Sequence, residues 1–180
     1  MIVNSSYSRG DSGGMQRYMK SDDHKKTKVK NAQGREITRK ERAEFTAKCK
    51  ENDMWRHVSF SPDPRANMGD GEMNRGVRKT MSELKEDRPS LDYHYAVHNT
   101  GRGSRDYEHE HAHVIMTGDR EDVEMWEEDL EELRETATEN FNEPMKLEVY
   151  RKEQEMTKTL DKSFDMGETM AVSNEVETQE

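Results

Sequence analysis

The chain has little that would staple it together or embed it in a bilayer. Its one cysteine, Cys49, has no partner in the chain, which excludes an intramolecular disulfide framework. No stretch approaches the ~18 apolar residues of a spanning helix, and no basic-then-apolar leader is visible. A soluble, cytoplasmic protein without a membrane partner is the expectation. Hydrophobic residues make up only 29% of the 180 positions against 38% charged, too few for a core that runs the full length. One domain with one active site is expected, ending before the C-terminus.

The formal net charge of -10 weighs at first against a nucleic-acid partner, because phosphate binding needs clustered Lys and Arg. Its distribution reverses that inference. From Met15 to Lys50 there are 12 basic and 5 acidic residues, a local balance of 12 - 5 = +7. From Asp119 to Glu180 there are 7 basic and 21 acidic residues, a balance of 7 - 21 = -14. The chain is polarised between a basic N-terminal part and an acidic C-terminal part. Adaptation to high salt is an alternative cause of the acidity.

Residues 1–8 (MIVNSSYS) suit a first strand. Gly10, Gly13 and Gly14 then punctuate a turn opening a short helix with Met15, Tyr18 and Met19 at i, i+3, i+4. Ser21 to Asn31 lacks periodicity and is rich in lysine, which predicts a mobile basic loop. Thr38 with Glu41 makes a capping-box pattern for a helix to about Lys50. Trp55 to Ser61 alternates and then meets Pro62 and Pro64, a strand and its exit. Val77, Met81 and Leu84 support a helix from about Glu72 to Asp87, and Leu91 to His98 (LDYHYAVH) follows as a strand.

Gly101 and Gly103 mark a loop carrying Arg102 and Arg105, before a strand from His111 to Met116. Val123, Trp126, Leu130, Leu133, Ala137 and Phe141, at steps of 3 and 4, predict one helix. Lys146 to Tyr150 (KLEVY) reads as a last strand, and Glu153 to Glu180 as an acidic, disordered tail beyond a domain of residues 1–152. The expected class is α+β: a central antiparallel sheet with the helices on one face, leaving the other free for chemistry.

Strand alternation puts His111 and His113 on one face and Ala112, Val114 and Met116 on the other. It likewise groups His94, Ala96 and His98, and His57, Ser59 and Ser61. If these strands pair, His98 reaches the His111/His113 pair. A lone His-x-His also fits two solvated histidines on a sheet face.

The segments AVHNT and HEHAHVIMTG, with WRHVSFSPDP before and DLEELRETATENF after, resemble the HUH-endonuclease superfamily, in particular mobilisation-type relaxases. The resemblance runs from about Ile2 to Arg151 and includes the order of an early tyrosine followed by the histidines. It implies a palm-like HUH fold, with His98, His111 and His113 as metal ligands and Tyr18 as nucleophile. Tyr7 is the reserve nucleophile. The implied activity is nicking and rejoining of single-stranded DNA at an origin-like site, through a covalent 5′-phosphotyrosine. Such a step serves plasmid mobilisation, conjugation or rolling-circle replication, with other relaxosome or replication proteins as further partners. Where the family often has an acidic residue two positions after the first histidine, this chain has Thr100. Asp106 or Glu108 is the candidate to orient a ligand imidazole in its place, with a solvated loop charge as the favoured alternative for each, and His109 is a bystander.

The residue types suit that chemistry. A phenol with pKa near ~10 is a poor nucleophile at neutral pH, so it needs a cation that polarises the scissile phosphate. Three neutral imidazoles leave positions on that cation open. Imidazole favours Mn²⁺ or Zn²⁺ on softness, whereas the resemblance implies Mg²⁺ or Mn²⁺. Lys20, Lys25, Lys26, Lys28, Lys30, Arg102 and Arg105 are candidate phosphate contacts, with a solvated lysine-rich loop as the alternative. A cupin would need Glu where Thr117 and Gly118 stand, and a metallo-β-lactamase would need Asp-His where Val114 and Ile115 stand. Two rivals stay open: a rolling-circle replication initiator using Tyr150, and a non-catalytic single-stranded DNA-binding accessory protein.

Overall fold

A computed structural model describes residues 1–22, 25–99 and 110–158. Strand β1 (Ile2–Ser8) leads to α1 (Gly13–Lys20), a hairpin of β2 (Ser21–Asp22) and β3 (Lys25–Lys26), and the short β4 (Lys30–Asn31). Helix α2 (Arg39–Glu51), β5 (Trp55–Ser61), a 3-10 turn (Pro64–Ala66) and α3 (Asp70–Asp87) follow. Then come β6 (Asp92–Asn99), β7 (Glu110–Thr117), α4 (Arg120–Val123), α5 (Glu127–Asn140) and a final helix, α6, over 143–158. The main sheet has the order β1-β5-β7-β6-β4, and every neighbouring pair is antiparallel. The class is α+β with a five-stranded antiparallel sheet, as the alternating segments predict. Among the described residues, no helix is long and apolar enough to cross a membrane.

The two-residue period of the strands sorts side chains onto two faces. Val58, Phe60, Tyr93, Tyr95, Ala112, Val114 and Met116 form one buried cluster with Met73, Val77 and Met81 of α3, Leu133 and Ala137 of α5, and Phe141. Trp55, Ala96 and Ile115 form a second with Met19 of α1, Phe45 and Cys49 of α2, and Val29 and Ile37. Helices therefore cover both faces, which corrects the expectation that all lie on one. Phe45 and Cys49 stand at i, i+4 on α2 and need an apolar partner, and the small patch of Trp55, Ala96 and Ile115 supplies it. The histidines occupy the rest of that face.

Three further expectations change. Ser21 to Asn31 is not a mobile loop in its described parts: Ser21 pairs with Lys26, and Lys30 and Asn31 pair with Tyr95 and His94 at the sheet edge. Buried Val29 accepts a backbone bond from Ile37 at 3.0 Å, so two apolar residues without periodicity suffice to dock the segment.

The helix expected across Val123 to Phe141 is broken, with 124–126 outside helix and Trp126 70% exposed. Two arginines bind the carbonyls at the break. Buried Arg56 donates from Nε to the Val123 carbonyl (2.8 Å) and from Nη2 to that of Met125 (3.3 Å). Arg88 Nη1 donates to the carbonyls of Asp122 (2.9 Å) and Glu124 (2.7 Å), while its Nη2 meets Asp129 at 2.6 Å. Charge-assisted bonds of this kind outweigh the one or two helical bonds forgone.

Residues 146–150 are helical rather than a strand. Leu147 packs on the first cluster, and Glu148 pairs with Lys152 at i, i+4 (2.6 Å). Helix α6 runs through the boundary expected at 152, so residues 153–158 are helical; the rest of the predicted tail, 159–180, lies outside the described residues.

Candidate metal centre

Strand register assembles the histidines. His98 on β6 stands opposite His111 on β7, and Ala96 opposite His113, so His113 is diagonal to His98 on the same face. Ring centroids are 5.4 Å apart for His98 and His111, 4.9 Å for His98 and His113, and 4.9 Å for His111 and His113. One nitrogen of each lies within 4.8 Å of the others, a group able to hold a metal ion. His98 and His113 are buried and His111 half-buried. His94, on the same face, instead stacks on Phe45 at 4.1 Å.

Hydrogen bonds set the tautomers. His98 Nε2 lies 2.7 Å from the Met19 carbonyl, which only accepts, so that nitrogen carries the proton and Nδ1 keeps a lone pair. His113 Nδ1 lies 2.9 Å from His57 Nε2, while the buried His113 Nε2 has no hydrogen-bond partner among the described residues. Burial, helped by His111, His57 and His98, pushes the pKa of His113 down to about 3, so the ring is neutral at ordinary pH, as a metal ligand must be. An unpartnered buried nitrogen among convergent imidazoles fits a divalent cation bound there. With His113 Nε2 keeping its lone pair, Nδ1–H donates to His57, whose own proton then sits on Nδ1.

His57 is the residue that sequence reasoning left without a role. Alternation puts it on the histidine face, whereas the orienting groups that the sequence offers are Asp106 and Glu108. Those two lie outside the described residues, as do Arg102, Arg105 and His109. Burial also lowers the pKa of His57, which favours the neutral acceptor that this bond requires.

Helix α1 brings Tyr18 to the same place. Buried Gln16 donates from Nε2 to Ser12 Oγ (3.2 Å) and to Thr46 Oγ1 (2.8 Å), tying α1 to α2, and Met19 enters the second cluster. Tyr18 is 52% exposed, its ring 5.3 Å from His113 edge-on and 6.1 Å from His98. Tyr7 is not brought there. It pairs with Arg56, whereas its neighbour Ser6 pairs with His57, so Tyr7 belongs to the face opposite the histidines. Tyr150 sits on α6 and acts electrostatically on Arg65.

The basic residues are divided. Lys20 is exposed at the end of α1, and Lys25 and Lys26 form β3. Lys28 is paired with Glu36 at 3.3 Å and Lys30 Nζ donates to Asn74 Oδ1 at 2.6 Å, so neither is a free loop cation as the sequence suggested. What the arrangement offers chemically is a group of three imidazoles able to hold a metal ion, with a half-exposed phenol beside it. Neither a protein-family model, nor a curated protein, nor a solved structure matches the chain.

Proposed function

We propose that this protein is a relaxase-type HUH endonuclease that nicks and rejoins single-stranded DNA through a phosphotyrosine. One observation carries the reading: Tyr18, on an early helix, is half-exposed with its ring 5.3 Å from His113 and 6.1 Å from His98. A tyrosine standing over a three-histidine face is what in-line attack on a bound phosphodiester needs. His98, His111 and His113 would hold Mg²⁺ or Mn²⁺, which when bound supplies positive charge against the phosphate oxygens. The Tyr18 oxygen bonds to phosphorus as the P–O3′ bond breaks. The proton lost by the phenol is matched by the one that the 3′ oxygen takes up. The products are a 5′-phosphotyrosine and a free 3′-OH, and because the phosphoester is conserved the step reverses.

Phenylalanine at position 18 keeps the ring and its contacts with the histidines but removes the attacking atom. Tyr18→Phe is expected to retain Mn²⁺ and DNA binding while nicking falls at least ~1000-fold, since no nucleophile replaces it. A denaturing gel with labelled single-stranded DNA and Mn²⁺ reads both nick and adduct, and mass spectrometry should find the nucleotide on the peptide containing Tyr18. An adduct on Tyr150 would establish the replication-initiator chemistry instead. Binding without any adduct would establish the accessory binder.

A further inference from the structure

Away from the histidines, α3 carries a charged stripe. Arg75, Arg78, Lys79, Ser82 and Lys85 fall at i, i+3, i+4, i+7 and i+10, one side of a helix. They line one wall of a groove of about 620 Å³, and Ala32, Gln33 and Tyr93 line the rest. Among the described residues, no carboxylate lines it. Among the described residues, Arg75, Arg78 and Lys85 form no ion pair, and Lys79 meets Glu83 only at 3.9 Å. In a chain of net charge -10, with acidic partners abundant, four cations left facing one cleft are conspicuous. Like charges three and four apart repel one another along a helix, and a bound polyanion relieves that repulsion.

The groove is also shaped beforehand. Arg78 Nε donates to the Asn74 carbonyl (3.3 Å), and its side chain lies across Gly34, where an added Cβ would come within 3.3 Å of Arg78 Cδ. Gly34 has φ +80, so it serves both the turn and the arginine. Arg78 is held by its stem and Nε, leaving the terminal nitrogens to make the paired bonds that suit phosphate. Gln33 and Ser82 add neutral hydrogen-bonding groups.

We infer that this groove is a second nucleic-acid site, holding the phosphodiester backbone of a single strand that flanks the segment at the histidines. The inference rests on the proposed nicking of single-stranded DNA. From Arg75 to Lys85 the cations span roughly 15 Å along the helix axis, a line of charge suited to a polymer rather than one small anion. Tyr93 projects to the face opposite His94 and His98, and His98 lies five residue steps further along β6, roughly 17 Å away. Among the described residues, the two-residue β4 is the only strand paired with β6 on that side, so the sheet edge between the two faces is short there.

The test compares the full chain with Arg75→Gln/Arg78→Gln/Lys85→Gln, checked by thermal melting, in fluorescence anisotropy with a ~30-nucleotide and a ~6-nucleotide single strand. The long strand should bind the variant at least tenfold more weakly at about 50 mM salt. Its log K against log salt slope should be shallower by about 2, three phosphates at about 0.7 each. The short strand should bind both alike. Equal affinity and slope for the long strand overturns the inference, as does an equal loss for the short strand. Nicking assayed beside binding keeps the two readings apart. Nicking with unchanged long-strand binding sinks the groove alone. Groove-dependent binding by a wild-type chain that never nicks sinks the nicking reading alone.

Discussion

At the scale of single residues, the centre turns on a nitrogen that is not itself a ligand candidate. His57 meets His113 Nδ1 at 2.9 Å and thereby decides which His113 nitrogen keeps a lone pair. Removing it leaves His113 Nδ1 with no partner in a buried setting and frees the ring to turn. His57→Ala is therefore expected to weaken Mn²⁺ binding by ~10–100-fold. His57→Gln, whose amide oxygen can accept from Nδ1–H, should recover part of the loss. Isothermal titration reads both, and unchanged affinity in the alanine variant would show that His57 only fills space. The histidine face was legible because alternation depends on nothing but parity. The His57–His113 bond was not, because it needs the β5–β7 register between residues 56 positions apart.

At the scale of elements, helices were legible where local signals settle them and illegible where distant side chains do. Thr38 Oγ1 accepts from the Glu41 amide (3.2 Å) and Glu41 accepts from the Thr38 amide (2.7 Å), the reciprocal cap that the sequence predicts. The break before α5 is made by Arg56 and Arg88, both remote in sequence, so the steps of 3 and 4 from Val123 to Phe141 concealed it. Five residues of KLEVY read equally as strand or helix, and contacts of Leu147 and Lys146 with the body of the protein decide for helix. The packing of α3 near the end of α5 yields a test. A Cβ on Gly76 would lie 2.6 Å from the Phe141 ring. Gly76→Ala gains about 1 kcal/mol of helix propensity but meets an overpacking cost of about 1–3 kcal/mol. A melting temperature several degrees lower is expected, and an equal or higher one would mean that the ring yields freely.

At the scale of the whole molecule, charge is segregated rather than mixed. Residues 159–180 carry 6 acidic groups and 1 basic, so a chain ending at Lys158 has a net charge of -10 - (1 - 6) = -5. On the proposed nicking reading, less repulsion should strengthen single-stranded DNA binding at low salt, and the gain should fade as the Debye length contracts from ~30 Å at 0.01 M to ~3 Å at 1 M. Salt titrations of both chains check this, and a salt-independent difference would mean that the segment acts by contact instead of charge. The two covered faces were not legible either, because one helical turn of Phe45 and Cys49 says nothing about which side of a sheet it will meet. That covering ties α1 to the histidines. The carbonyl that fixes His98 belongs to Met19, the residue after Tyr18. Turning the imidazole pulls on the Met19–Lys20 peptide unit, one residue beyond Tyr18, and withdrawing the helix releases the ring. The orientation of His98 and the position of Tyr18 are thus two ends of one lever, and by reciprocity whatever steadies either end steadies the other to the same degree.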